Sequence, residues 1–523
     1  MKKTSALLAI ICFFGCLSGC RQKPALSSDN SSGGDGHSSS SLSESSESPL
    51  EEIVRNSPEN VVDDHLYQAP EFRSFPTFLA SEWNLNLKFT LSDDGTYYIV
   101  SDELGADRRL AQPTLIIPPI YQGKPVKEIA QAAEGVGAFS ELTWLKDVYL
   151  PASITKIAHG TFSLSNIENL YYDCENLEDF QGRNWVFYPP FDPNYIGMNV
   201  YFGPHVQRLP NRLFYPNVNE PNFIPKINHV YFDENCPVTA IGDHAFHNVE
   251  GFTTLSLPDT VEEIGLFAFY RTSFSELTLP ANLRTIGEDA FGFAAIKHLR
   301  VNENLAFIGE RAFAYSRLCG LDLSPSKLTV ISDETFAHAQ SLAWVQFPET
   351  LREIGVRAFY HNALVDLIIP DQVTAVNAAA FAGAQALKRL YLGRALTTLQ
   401  PRAFFGCANL LSLEIASVNL QPFSCGNDVF TQAGKSDDLL VYVLDGVNSL
   451  PSYLFFGTAD FEQLPRINVL TLPHSLATVG TGAFAHLTLT RVNYRGSETD
   501  YHSIIFEDGF TFSEVDFGGG LDA

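Results

Sequence analysis

Between Cys236 and Ile415 short apolar steps recur at a fixed spacing. Isoleucine-glycine, two variable residues, alanine-phenylalanine and leucine-x-leucine follow in turn, as in Ile241-Gly242, Ala245-Phe246 and Leu255-Ser256-Leu257-Pro258. The phenylalanine returns at Phe246, Phe269, Phe291, Phe313, Phe336, Phe359, Phe381 and Phe404, always 22 or 23 residues after the last. A constant period of about 20 to 29 residues predicts a solenoid, in which each coil buries its apolar face against its neighbours. The leucine-x-leucine alternation predicts a short strand with two inward side chains, and stacked coils align these strands into a parallel sheet. Pro258, Pro280, Pro348, Pro370 and Pro473 follow strands directly, where a missing N–H ends the ladder at little cost. Gly242, Gly265, Gly287, Gly309, Gly355 and Gly480 stand after an inward aliphatic, which predicts corners with unusual backbone angles. The phenylalanines are expected to stack along the solenoid axis. The small column three residues later, from Thr272 and Ala294 to Ala384 and Cys407, reports packing.

The rest of the chain is read against this repeat. Lys2 and Lys3 precede an apolar run from Ala6 to Leu17, too short to span a bilayer comfortably, so residues 1–19 read as a secretory signal peptide. Leu17-Ser18-Gly19-Cys20 resembles a bacterial lipobox; that resemblance implies a lipidated Cys20 and a membrane anchor, against an uncleaved anchor or ordinary cleavage nearby. Residues 20–52 are nearly all Ser, Gly, Asp and Glu and are expected to form a flexible tether. Residues 53–115 form an N-terminal extension with a β-hairpin cap, because Phe89-Thr90-Leu91 and Tyr97-Tyr98-Ile99-Val100 flank the turn Ser92-Asp93-Asp94-Gly95. The same two aspartates lack the further oxygen donors of a calcium loop. The solenoid is expected over 116–490. Irregular inserts near 171–224 and 416–465 read either as binding loops or as covers of the stack. Residues 491–523 read as a C-terminal cap.

Charge and candidate chemistry narrow the function. With 34 basic and 60 acidic residues the net charge is −26, which repels phosphate backbones and argues against a nucleic-acid partner. Of eight cysteines, Cys12, Cys16 and Cys20 fall in the targeting segment. The remaining five have no metal-ligand spacing and read as small buried hydrophobes, with a Cys407–Cys425 bridge left open. There is no glycine-rich phosphate loop, His-Glu-x-x-His helix, Cys-x-x-Cys pair or Gly-x-Ser-x-Gly elbow, so neither a cofactor nor a metal is called for. An enzyme reading, as a carbohydrate-active or other hydrolase, would need paired carboxylates or a site in the inserts.

The repeated phrase closely resembles the BspA-like, or treponemal-type, bacterial surface leucine-rich repeat family over roughly Ile116 to Tyr494. The resemblance implies a strand-dominated α/β fold, a right-handed leucine-rich repeat solenoid with a parallel sheet. It also implies a secreted or anchored surface protein that adheres to a protein or glycan partner, or a structural role in the envelope. It transfers no ligand and no binding residue. The alternation itself supplies candidates, because it turns His298, Arg300, Trp344, Ile368, Arg389 and Tyr391 outward. Aromatic and arginine side chains exposed together are common interface anchors, and Trp344, Ile368, Arg389 and Tyr391 fall on three successive coils. The competing reading is that Trp344 and Ile368 cover one another or pack beneath a loop.

Overall fold

The structure, a computed structural model, describes residues 72–103, 109–182, 184–215, 224–434, 439–456 and 464–517. The chain divides between Glu59 and Asn60, and everything below concerns the second unit. The signal peptide, Cys20 and the tether lie outside the described residues.

The second unit is a parallel-strand solenoid with very little helix. Its main ladder stacks strands in chain order, from Thr114–Ile116, Asp147–Leu150 and Asn169–Tyr172 to Arg466–Leu472, Thr488–Tyr494 and Asp516–Phe517. Register carries inward residues onto inward residues, as in Leu367 on Leu390 and Leu390 on Leu413. A second parallel ladder is built from two-residue strands that contain the recurring isoleucine, such as Ala240–Ile241, Glu263–Ile264 and Thr285–Ile286. The alanine-phenylalanine step makes the third corner. There one phenylalanine per coil stacks on the next from Phe139 to Phe512, at ring separations of 5.2–6.0 Å. The spine passes through Phe187 and Phe430, so the two irregular stretches are complete coils at this corner and depart from the phrase elsewhere.

The third corner has a backbone signature of its own. Two residues four apart bracket each alanine-phenylalanine step in left-handed conformation: Asp289 and Phe293, Arg311 and Tyr315, Glu334 and His338, Arg357 and His361 all have φ between 52° and 59°. This conformation costs a non-glycine residue roughly 1–2 kcal/mol. It also turns alternate N–H groups toward the next coil. Arg311, Phe313 and Tyr315 donate to the carbonyls of Asp333, Thr335 and Ala337 at 3.1, 2.9 and 2.8 Å, and the pattern repeats in the neighbouring coils. The result is a third hydrogen-bonded ladder that offsets the strain.

The glycine column differs from the sequence expectation. Gly242, Gly265, Gly287, Gly309, Gly355 and Gly480 are absent from the positive-φ positions, which fall on other residues. Glycine is needed there because coils approach closely: a Cβ on Gly287 would lie 2.7 Å from the carbonyl carbon of Gly265 and from the nitrogen of Leu266. Where serine or asparagine takes the position the side chain is bonded to the preceding coil, Ser332 to the Ile308 carbonyl at 2.5 Å and Asn377 to Glu353 at 2.7 Å.

The ends are closed differently. Lys88–Leu91 and Tyr98–Ser101 form the expected antiparallel hairpin, with Gly95 at φ 71° in its turn, and the hairpin covers the edge of the second ladder through Lys124–Ile129. At the other end residues 491–517 continue all three corners as one irregular coil. Phe512 stacks on Phe484, Ile505–Phe506 extends the second ladder, and Ser497 caps a short helix, Glu498–Tyr501. None of Cys174, Cys236, Cys319, Cys407 and Cys425 is in a disulfide, so the Cys407–Cys425 bridge is not made.

Candidate interaction surface

The outward face of the main ladder holds the side chains singled out from the sequence, but most are engaged within the molecule. Trp344 is half-buried, and its indole lies over Gly320 on the preceding strand, where a Cβ would collide with it. Arg389 grips Asp366 of the neighbouring strand with two bonds, Nε to Oδ1 at 2.6 Å and Nη2 to Oδ2 at 2.7 Å. Such a bidentate pair fixes both groups. Tyr391 is 4% exposed and donates its hydroxyl to Asp371 at 2.8 Å, so it is no exposed anchor, contrary to the sequence expectation. Ile368 and Arg300 are half-buried, and only His298 of the six is open to solvent. The pattern of alternation found the face correctly; it could not show that neighbouring coils would roof it. Glu414, outward by register between Tyr391 and Tyr442, is also covered: its Oε2 has no partner and burial raises its pKa.

The sequence reading missed a more open row on the third corner. Tyr270, Phe293, Tyr315, His338 and His361 form a continuous run of ring contacts across successive coils, extended at one end by the buried His247. Its middle is tight and parallel, Phe293 to Tyr315 at 4.2 Å and Tyr315 to His338 at 4.4 Å, and these rings stay well exposed, Phe293 at 42% and Tyr315 at 46%. Arg271 places its guanidinium 5.5 Å from Tyr270 and 5.4 Å from Phe293, a cation–π geometry.

Phe293, Tyr315, His338 and His361 all occupy the second left-handed position, which a bulky side chain adopts at a cost. On the next two coils Gly383 and Gly406 stand at the same position, so the corner does not require a ring. The first left-handed column behaves differently: there Arg311 is joined to Glu288, Asp289 and Glu310, and Arg357 to Glu334 at 3.2 Å. In these coils the first column satisfies its charges internally, and the second leaves rings facing water.

Two histidines of the row, His247 and His338, are held toward the neutral form. Burial, with His244 and Arg271 adding repulsion, lowers His247 to about 3. Burial and the neighbouring His361 also lower His338. The close His244–His247 pair, Nδ1 to Nδ1 at 3.1 Å, is a shared hydrogen bond rather than a metal site, and among the described residues no group of three His, Cys, Asp or Glu could hold a metal ion. One open groove of about 510 Å³, lined by Ile196, Asn199, Asn228, His229, Gly251 and Thr253, carries no carboxylate in its lining.

Parallel ladders and a single aromatic spine together describe a repeat protein built as a solenoid. The chain belongs to the BspA type leucine-rich repeat region family, whose model matches in six copies over residues 131–188, 222–324, 317–434 and 444–522. Among solved structures the chain is similar to a leucine-rich repeat protein from Bacteroides ovatus, at 18% identity and a TM-score of 0.44, over 81% of this chain and 98% of that one. A leucine-rich cell surface protein from Faecalibacterium prausnitzii matches at 17% identity, TM-score 0.30, over 80% and 96%. The pneumococcal vaccine antigen PcpA matches at 18% identity, TM-score 0.32, over 83% and 99%. No curated protein matches the chain. Among the described residues no helix is long and apolar enough to cross a membrane.

Proposed function

We propose that the chain is a bacterial cell-surface binding protein, anchored through a lipidated Cys20, that holds an extracellular protein or glycan against the Tyr270–His361 row. The observation that carries this reading is the presence of exposed rings at strained positions where the same corner accepts glycine. Left-handed backbone recurs at this corner along the solenoid and is architectural; what singles out Phe293 and Tyr315 is that large rings are kept exposed there while Gly383 and Gly406 fill the same position on later coils. The family supports a protein-interaction role, and the lipobox-like Leu17-Ser18-Gly19-Cys20 with its polar tether supports display at a distance from the membrane. The aromatic character of the row suits a partner that offers apolar or sugar-ring surface, and the net charge of −26 disfavours an anionic one.

The test is capture from host extracellular proteins and a glycan array, using the intact chain and a Phe293→Asn/Tyr315→Asn variant. Asparagine tolerates left-handed backbone, so the variant keeps the corner. Capture by the parent and at least a tenfold loss in the variant is the expected result. Equal capture by both removes the row from the site.

A further inference from the structure

At the first coils the outward face of the main ladder is already occupied. Tyr149, Tyr171, Tyr201 and Tyr231 stand at one register position on four successive strands, the last three stacked at 4.8 and 4.9 Å. Later coils place Thr278, Arg300, Asp322 and Gln346 at the corresponding outward position, so the coil itself does not demand tyrosine.

Residues 72–79 run along this row against the direction of the stack. Phe72 forms an isolated bridge with Phe232, and Arg73 donates its N–H to the Phe232 carbonyl at 3.1 Å while its guanidinium sits 4.0 Å over the ring of Tyr231. The N–H of Phe75 donates to Asp233 Oδ2 at 2.8 Å. The rings of Phe75 and Phe78 meet Tyr149 at 5.5 and 4.6 Å and Tyr171 at 6.1 and 6.5 Å. The segment then turns through Ala80–Glu82, and Asn84 exchanges hydrogen bonds with Ile116 on the first strand, N–H to carbonyl at 3.0 Å and N–H to Oδ1 at 2.5 Å. It is held as an extended ligand is held, by rings in a row of rings and a few backbone bonds, and it joins the sheet through one bridge rather than as a strand.

We infer that the tyrosine row is a docking groove for an extended peptide segment, which residues 72–79 fill in cis. The occupant seen here defines the ligand: a basic residue followed by aromatic residues three apart, as in Arg73-Ser74-Phe75-Pro76-Thr77-Phe78. The acidic balance of the chain favours the basic residue. An incoming segment competes with the strap, so the groove opens only to a ligand that matches or exceeds its contacts.

A fluorescent synthetic peptide covering residues 70–80 tests this on the full chain, with a scrambled peptide of the same composition as control. The parent, Phe75→Ala/Phe78→Ala and Arg73→Glu are compared, the last because Arg73 is exposed and its loss leaves every ring in place. Saturable binding at least tenfold tighter to both strap variants than to the parent, lost with the scrambled peptide and on adding Tyr171→Ser, is the expected result. Absence of binding to the folded Arg73→Glu protein, equal binding to parent and variants, or binding that ignores Tyr171→Ser overturns the inference.

Discussion

Exchanging alanine and glycine at two corner positions four coils apart should reverse the usual sense of that substitution. Ala379 has φ 54° and donates its N–H to the Pro401 carbonyl at 3.0 Å. Ala379→Gly releases roughly 1–2 kcal/mol of left-handed strain and gives back about 0.4–1 kcal/mol through the freer unfolded chain. The net expectation is a gain of about 0.5–1 kcal/mol. Gly287→Ala acts oppositely, because the new methyl carbon would stand 2.7 Å from two backbone atoms of the preceding coil and 3.0 Å from a third, the Gly265 carbonyl oxygen. Neither backbone atom can swing away like a side chain, so coils must separate and a loss of about 1–3 kcal/mol follows, the range of overpacked cores. Urea titration followed by tyrosine and tryptophan fluorescence measures both. Destabilisation by Ala379→Gly together with a neutral Gly287→Ala would refute the assignment of strain to one column and close approach to the other.

Other consequences are sharp enough to measure. Phe313→Ala, in the middle of the spine, should cost about 3–5 kcal/mol, whereas Tyr315→Asn, two residues away on the surface, should stay within about 1 kcal/mol of the parent by the same titration. His247 is held far below its ordinary pKa, so the folded state binds its proton less readily than the unfolded state. Its contribution is complete above about pH 6.5 and falls by up to about 1.4 kcal/mol per pH unit as the pH drops toward 3. The difference in stability between the parent and His247→Asn, measured at pH 7.5 and 5.0, should therefore shift against the parent at the lower pH. Glu414 works in the other direction. With its pKa raised by burial, Glu414→Gln should stabilise the protein by about 1 kcal/mol at pH 7.5, an advantage that shrinks as the pH falls and the native carboxyl protonates.

Much of the architecture can be read from the chain because a solenoid repeats its rules. The Ile-Gly step, the phenylalanine period and the Leu-x-Leu alternation each mark one corner, and all three corners are present in the folded chain. The irregular stretches hid Phe187 and Phe430 because their surroundings break the phrase while the spine position survives. The left-handed corners left a compositional trace where glycine stands, as at Gly383 and Gly406; Arg311, Glu334 and Tyr315 do not advertise positive φ. Alternation placed Tyr391 and Arg389 on the outward face, yet Asp371 and Asp366 engage them there, contacts set by the stacking register rather than by either residue. The tyrosine row was not singled out from the sequence, and its cover comes from residues 72–79, far away in the chain.

The central physical claim is that exposed rings ride on a locked backbone. Amide hydrogen exchange resolved at Phe293, Tyr315 and His338 tests it most directly, since each donates to the next coil, at 2.8, 2.8 and 2.7 Å. Protection at these amides comparable to that of the inward strand residue Leu321, with the side chains still open to solvent, is the expected result. Exchange as fast as that of an unbonded surface amide would contradict the third ladder and the binding row built upon it.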